Sequence, residues 1–252
     1  MTYPFVYISS LIRSGSTLIQ ELLTSPPHSF IFHEPELLNN KFITNKKHLK
    51  LFLDHGIDIN NIMKNGGLSK FKKDVLPLLQ KHVKQIGVKE VRNTNWKRYV
   101  DNFSNIRIVL TGRDPRDLYI SIFYWKNKSG KLNKLSKKTI NNLKNQMNIQ
   151  QEIFNNGNVI KVKYEELCTN QNLIISEIKR FIDSPISEVG EIGGFLSNVP
   201  RRINEYNKHG NIITKRSVAR WKKDKNKRLI QLSNDFFESV PDYCNFWGYE
   251  RR

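Results

Sequence analysis

Residues 5–23 restrict the possible folds of this chain more than any other stretch. Phe5-Val-Tyr-Ile-Ser-Ser10 is a short apolar run with β character. A polar glycine turn, Arg13-Ser14-Gly15-Ser16-Thr17, follows it, and an apolar-periodic helix begins at once. A helix that starts on Ser-Gly-Ser-Thr turns unpaired backbone N–H groups and hydroxyls toward one point, with the positive end of the helix dipole behind them. That point is a seat for phosphate or sulfate. The turn is not a Walker A motif, because Gly15 is followed by Ser16 instead of lysine and no glycine stands five residues ahead of it. Its cation is Arg13, so the chain is expected to bind an anion here other than ATP with magnesium.

A second unit repeats the pattern. The strand-like run Arg107–Thr111 leads through Gly112 into the charged turn Arg113-Asp114-Pro115, where Asp114 can cap a helix and Pro115 suits its first position. Leu118, Ser121, Ile122 and Trp125 then share one helix face by their spacing of three and four. Arg113 at the strand end and Ser121 two turns into the helix can converge on a second anion. Two anion seats at strand ends suit a nucleotide with phosphate at both ends of its ribose. Further strands are expected at Phe30–Phe32, Ile86–Lys89 and Val159–Lys163. Helices are expected at Gly15–Thr24, Lys72–Gln85, Asn95–Asn102, Pro115–Trp125, Ile140–Phe154, Asn172–Ile182 and Lys225–Glu238. Such alternation implies a mainly parallel sheet covered on both faces, built as one domain over residues 1–252.

These motifs resemble those of the sulfotransferases that use 3′-phosphoadenosine 5′-phosphosulfate (PAPS). That family has a basic-Ser-Gly-Thr/Ser-Thr loop near its N-terminus and, later, an arginine followed eight residues on by serine. Arg13-Ser14-Gly15-Ser16-Thr17 and the pair Arg113 and Ser121 match them. Val162-Lys-Tyr164-Glu165-Glu166-Leu167 looks like the family's segment whose tyrosine stacks near adenine. Arg216-Ser217-Val-Ala-Arg220-Trp221, with Trp247-Gly248-Tyr249 beyond it, looks like the family's C-terminal close. The resemblance covers about residues 5–250. It implies a three-layer α/β/α fold of the P-loop-like nucleotide-binding kind. It also implies PAPS as co-substrate without a metal, and cofactor contacts from Arg13, Ser14, Gly15, Ser16, Thr17, Arg113, Ser121, Tyr164, Arg216 and Ser217.

For the base that deprotonates the acceptor, the sequence offers His33-Glu34-Pro35-Glu36. The phenol-sulfating branch of the family uses a histidine in a Lys-x-His segment. Here Lys89-Glu90-Val91 keeps the lysine and lacks the histidine. In the tyrosylprotein branch a glutamate 21 residues after the loop's basic residue takes that role, and Glu34 is that residue. Glu34 is therefore favoured over His33, with Glu36 third. Neighbouring side chains on a continuing strand would point to opposite faces, so His33 and Glu34 should not both reach the site. By resemblance Lys89 is the catalytic lysine and Arg13 the group that grips the sulfuryl and bridging oxygens. A glutamate base points to a carbohydrate or other non-phenolic hydroxyl, or an amine, as acceptor.

The formal net charge of +19 calls for a partner of opposite sign. Residues 126–138 hold six lysines and no acid, and residues 215–228 hold eight basic residues against Asp224 alone. An acidic glycan acceptor is one candidate partner. No helix-turn-helix, zinc or ribonucleoprotein signature points to specific nucleic-acid binding. Two alternatives stay open at this stage: a P-loop small-molecule kinase, and a basic nucleic-acid-binding protein on an inherited nucleotide fold. Two cysteines, Cys168 and Cys244, do not indicate a disulfide framework. No run is long enough to be a transmembrane segment, and no signal peptide is expected, so a cytoplasmic location is the expectation.

Overall fold

The computed structural model describes residues 3–25, 28–35, 37, 53, 58, 61, 67–91, 93–186 and 217–251. The chain starts with β1 (Phe5–Ser10), the glycine turn and α1 (Ser16–Leu22), then β2 (Ser29–His33). A helical run follows in three pieces: α2 (Leu68–Lys70), a π-helical turn over Phe71–Val75, and α3 (Leu76–Leu79). Next come β3 (Gln85–Glu90), α4 (Trp96–Asn102), β4 (Ile106–Gly112), α5 (Pro115–Lys126), α6 (Lys137–Asn156) and β5 (Val159–Lys163). The remaining described helices are α7 (Tyr164–Thr169), α8 (Gln171–Phe181), a 3₁₀ turn over Arg220–Lys222, α9 (Lys227–Glu238) and α10 (Pro241–Trp247).

The strands form one sheet in the order β2-β3-β1-β4-β5, and every pair is parallel. β1 sits at its centre and is buried along its whole length. Its alternation sorts the core into two layers. Val6 and Ile8 face α1 and α8, packing with Ile31, Val109 and Val162 from neighbouring strands against Ile19, Leu22, Ile175 and Ile178. Phe5 and Tyr7 face the other way, with Phe32, Val88, Ile108 and Leu110, into a core shared with the π-helical turn, α4, α5, α6, α9 and α10; Phe5 stacks on Phe103, Tyr7 on Tyr99, and Phe32 meets Phe71 edge-on. The fold is thus the three-layer α/β/α arrangement expected from the alternating pattern.

β1 and β5 have the expected bounds, and the other three strands extend the expected ones by a residue at each end. Asp114 caps α5 by accepting from the Arg116 amide at 2.8 Å, with Pro115 in the first turn, as the sequence predicts. The expected helix over Lys72–Gln85 is the main correction. The helical run begins earlier, ends at Leu79, and Gln85 opens β3. Val83 is buried although it lies outside the helix, so its apolar spacing imitates one more turn. α7 and α10 were not expected. Trp125 also departs from its predicted face: Leu118, Ser121 and Ile122 are buried, whereas Trp125, in the last turn of α5, is exposed.

Because the strands are parallel, their carboxyl ends make a single edge. The glycine turn follows β1, Glu34 follows β2, Lys89 lies near the end of β3, and Arg113 and Tyr164 follow β4 and β5. From β1 the chain continues toward β2, whereas from β4 it continues toward β5. Neighbouring strands whose connections diverge in this way leave a crevice between them at that edge.

Candidate active site

Gly15 lies at φ +88° and is the N-cap of α1. A side chain there would also collide with Tyr164, since an added Cβ would sit 2.5 Å from its Cδ2. Glycine is therefore required twice over, by backbone and by space. The amides of Gly15, Ser16 and Thr17 find no acceptor among the described residues, as expected for the first turn of a helix. Ser14 is different. It is 1 % exposed, its hydroxyl donates to the Leu11 carbonyl at 2.7 Å, and it shares a 2.6 Å hydrogen bond with Thr111. Its side chain buttresses the turn against β4. Arg13 stands at φ +69°, exposed, in the left-handed region that costs a non-glycine residue about 1–3 kcal/mol.

The two expected anion seats adjoin each other. Arg113 Nη1 donates to the Arg13 carbonyl at 2.9 Å, and Arg13 Nε donates to Ser121 Oγ at 3.3 Å. Arg113 Nη2 donates to the Ser217 carbonyl at 2.6 Å. Its guanidinium lies 4.4 Å from the ring centre of Tyr164, the same ring that covers Gly15. Burial pushes the Tyr164 hydroxyl up to about 12, so it stays a neutral hydrogen-bonding group at physiological pH. Ser217 thus belongs to this seat through its backbone, while Arg216 lies outside the described residues. Arg113 is itself buried, yet its Nε has no hydrogen-bond partner among the described residues. A buried guanidinium with unspent donors beside unpaired first-turn amides fits an anionic group of the size of phosphate.

On the other side of β1, Lys89 pairs with Glu34 Oε1. Lys89 was expected to close its strand. It lies within β3 and is 2 % exposed, opposite Ile8 of β1 and His33 of β2. β2 stops at His33, because Glu34 turns to φ +45° while its amide still bonds the Lys89 carbonyl at 2.8 Å. The strand does not continue, so the condition for opposite faces is not met, and His33 Nε2 lies 3.6 Å from Glu34 Oε1. Gln20 of α1 sets the imidazole. Its Nε2 donates to the Ile31 carbonyl at 3.0 Å, which leaves Oε1 to accept from His33 Nδ1 at 2.8 Å. Nε2 is therefore the nitrogen on the Glu34 side. Glu36 lies outside the described residues, as does much of the segment between β2 and α2.

The profile of the sulfotransferase domain family matches residues 4–239. The chain belongs to that family. Solved structures agree in fold. A sulfotransferase domain from the curacin biosynthetic pathway is 14 % identical, with a TM-score of 0.69 and 99 % of each chain covered. A sulfotransferase domain of the Synechococcus PCC 7002 olefin synthase is 19 % identical at a TM-score of 0.53, covering 92 % of this chain and 94 % of that one. Mouse sulfotransferase SULT7A1, solved with PAP, is 12 % identical at 0.51, covering 98 % and 89 %. No curated protein matches the chain by sequence.

Several residues that shape this sulfotransferase site carry no motif signal. The Tyr243 hydroxyl accepts from the Arg113 amide and donates to the Arg113 carbonyl, each at 3.1 Å. Asp117 is wholly buried one turn into α5. It accepts from the Trp221 amide at 3.0 Å, and its other oxygen is 3.9 Å from Arg113 Nη2. Trp247 lies against Gly112, where a Cβ would come within 2.4 Å of the indole, and Gln150 ties that indole to the Thr111 carbonyl. Only the i, i+4 spacing of Arg113 and Asp117 could have been read from the sequence. Both cysteines are free and buried. Among the described residues no helix is long and apolar enough to cross a membrane.

Proposed function

We propose that this sulfotransferase, acting as one domain, moves a sulfuryl group from PAPS to the hydroxyl or amine of a non-phenolic acceptor. A carbohydrate is the favoured class, and Glu34 is the general base. The observation that carries the reading is the junction at Arg13, whose carbonyl is held by Arg113 and whose side chain reaches Ser121. One arginine fork between a 5′ seat and a 3′ seat suits a nucleotide phosphorylated at both ends. Arg113, Ser121 and the Ser217 backbone would frame the 3′-phosphate, and the amides of Gly15 to Thr17 with Arg13 the 5′ end. When bound, PAPS supplies an activated sulfuryl group and a phosphate leaving group.

The residues then divide the work. Glu34 takes the acceptor proton as the acceptor oxygen or nitrogen bonds to sulfur and the bond from sulfur to the bridging oxygen breaks. Arg13 and the first-turn amides take up the negative charge that leaves on the 5′-phosphate. Lys89 couples the two events. In the resting site it is paired with Glu34, and protonation of Glu34 loosens that pairing just as charge develops on the leaving group. The glutamate base, which separates this site from a Lys-x-His arrangement, supports a carbohydrate or other non-phenolic acceptor. The positive charge of the chain is compatible with an acidic glycan.

Thermal unfolding with 3′-phosphoadenosine 5′-phosphate (PAP), AMP, ADP and magnesium-ATP at matched ionic strength tests the cofactor. At 100 times its dissociation constant a ligand of the folded state adds about 2.7 kcal/mol. The expected result is a shift with PAP alone, without metal; a shift only with magnesium-ATP would overturn the reading. Glu34→Gln should keep the PAP shift and lower turnover by about two to four decades. If turnover survives in that variant and is lost in His33→Ala, the base is His33.

A further inference from the structure

The two lysine-rich stretches, far apart in sequence, meet at the C-terminal end of α5. Tyr124 donates to Asp224 at 3.0 Å and the Arg220 guanidinium lies 4.5 Å from the Tyr124 ring centre, so residues 220–228 flank one side. On the other side Lys126 Nζ donates to Thr139 at 3.0 Å and the Leu135 amide donates to Tyr119 at 3.4 Å, which seats the 127–138 segment. The combined face carries six lysines from residues 126–138 and six basic residues from 220–228. Its one acid within those stretches, Asp224, is occupied by Tyr124 and by the Asn226 amide. Asp235, two turns along α9, accepts from Gln231.

This face also projects apolar groups. Tyr124, Trp125 and Leu132 are 40 %, 44 % and 37 % exposed. They are three of the seven large hydrophobic residues exposed among the described residues, gathered within nine positions. Residues 124–134 are exposed throughout except Asn127, so they protrude instead of lining a cleft.

We propose that this face docks the enzyme on an anionic lipid bilayer. Ten of its twelve basic residues are lysine, a hydrated point charge suited to a diffuse negative surface more than to fork-like recognition of single phosphates. Tryptophan and tyrosine favour the headgroup region, and lysines around a few apolar side chains are the usual composition of a reversible, charge-driven membrane contact. A nucleic-acid groove or an acidic protein would be met better by a concave or flat face than by a protruding, wholly exposed loop. The orientation is compatible with catalysis, since the 124–134 part of the face lies at the far end of α5 from Arg113.

Sedimentation with vesicles of phosphatidylcholine, with and without phosphatidylserine, tests the proposal. Binding is expected only with phosphatidylserine and should weaken as salt rises. Replacing Lys128, Lys131, Lys134 and Lys138 together by glutamine should weaken it by about two to three orders of magnitude, since each lysine near such a surface contributes roughly fivefold. The same four positions changed to arginine should keep it. Trp125→Ala should weaken binding while leaving its salt dependence. Stabilisation by PAP, unchanged in every variant, shows that each is folded. Absence of vesicle binding, equal binding by the glutamine variant, or retention by heparin or RNA without vesicle binding would overturn the proposal.

Discussion

Asp117→Asn isolates the cost of holding a carboxylate behind the Arg113 fork. Asp117 is completely buried, and burial pushes its carboxyl up to about 6 even though Arg113 pulls the other way. In the unfolded chain the same group titrates near 3.8. Between these values the folded protein keeps a proton that the unfolded chain has released. Stability therefore falls as pH rises from about 4 to about 6, then levels off. The difference of roughly two pKa units corresponds to a destabilisation on the order of 3 kcal/mol at neutral pH. Asparagine keeps an oxygen for the Trp221 amide and cannot ionise. The variant should thus melt close to wild type at pH 4 and above it at pH 7.5. For a chain of this size the gap should reach roughly 6–12 °C. Calorimetric melts of both proteins across this range give the answer, because groups remote from Asp117 titrate alike in the two. Parallel curves would refute the reasoning, and so would a variant that is less stable at every pH.

Three further substitutions probe the rest of the edge. Arg113→Ala should weaken PAP binding by at least about a hundredfold, the scale of a lost buried charge pair, and bring PAP and AMP to similar affinities by calorimetric titration; an unchanged ratio would remove Arg113 from the 3′ seat. Gly15→Ala meets both the left-handed backbone and the Tyr164 ring, so the melting temperature and PAP binding should fall together. Adding Tyr164→Ala should recover part of the stability, whereas strictly additive losses would show that the ring is not the obstacle. Lys89→Met should lower turnover by about a hundredfold or more with a smaller effect on PAP affinity. A loss confined to PAP affinity would assign Lys89 to binding alone.

The parts of this fold that were legible in the sequence are those where local chemistry and tertiary position agree. β1, the glycine turn, the Asp114-Pro115 cap and the alternation of strands and helices could all be read because caps, turns and periodicity act over a few residues. The Lys72–Gln85 helix failed where a buried residue, Val83, kept helical spacing after the chain had left the helix. At the site, motif spacing singled out Arg13, Arg113, Ser121, Glu34 and Lys89 as candidates. What it could not show is which way each group turns. Nothing near Ser14 in the sequence announces that its hydroxyl is shared with Thr111, 97 residues away. Whether His33 and Glu34 diverge turned on whether their strand continued, and nothing in the sequence states that β2 ends between them. Gln20, Tyr243 and Asp117 act through partners that only the folded chain brings near.

The order of the strands explains how these groups work as one site. Glu34 follows β2 and Arg113 follows β4, and β3 and β1 lie between them. Three inter-strand steps of about 4.8 Å separate the proposed base from the proposed 3′ seat by roughly 14 Å at the sheet edge. That distance is too long for one small group to bridge and long enough for a nucleotide with an acceptor at its far end. The group in transit must therefore pass over the middle strand. There the chain places Arg13, held outward by the Arg113 fork on one flank, with the buried Lys89 in register with β1 on the other. A rearrangement of the sheet that exchanged β3 and β4 would keep every motif in the sequence and still part Glu34 from Lys89, from neighbouring strands to three inter-strand steps. The chemistry proposed here depends on the central position of β1 as much as on the residues that follow it.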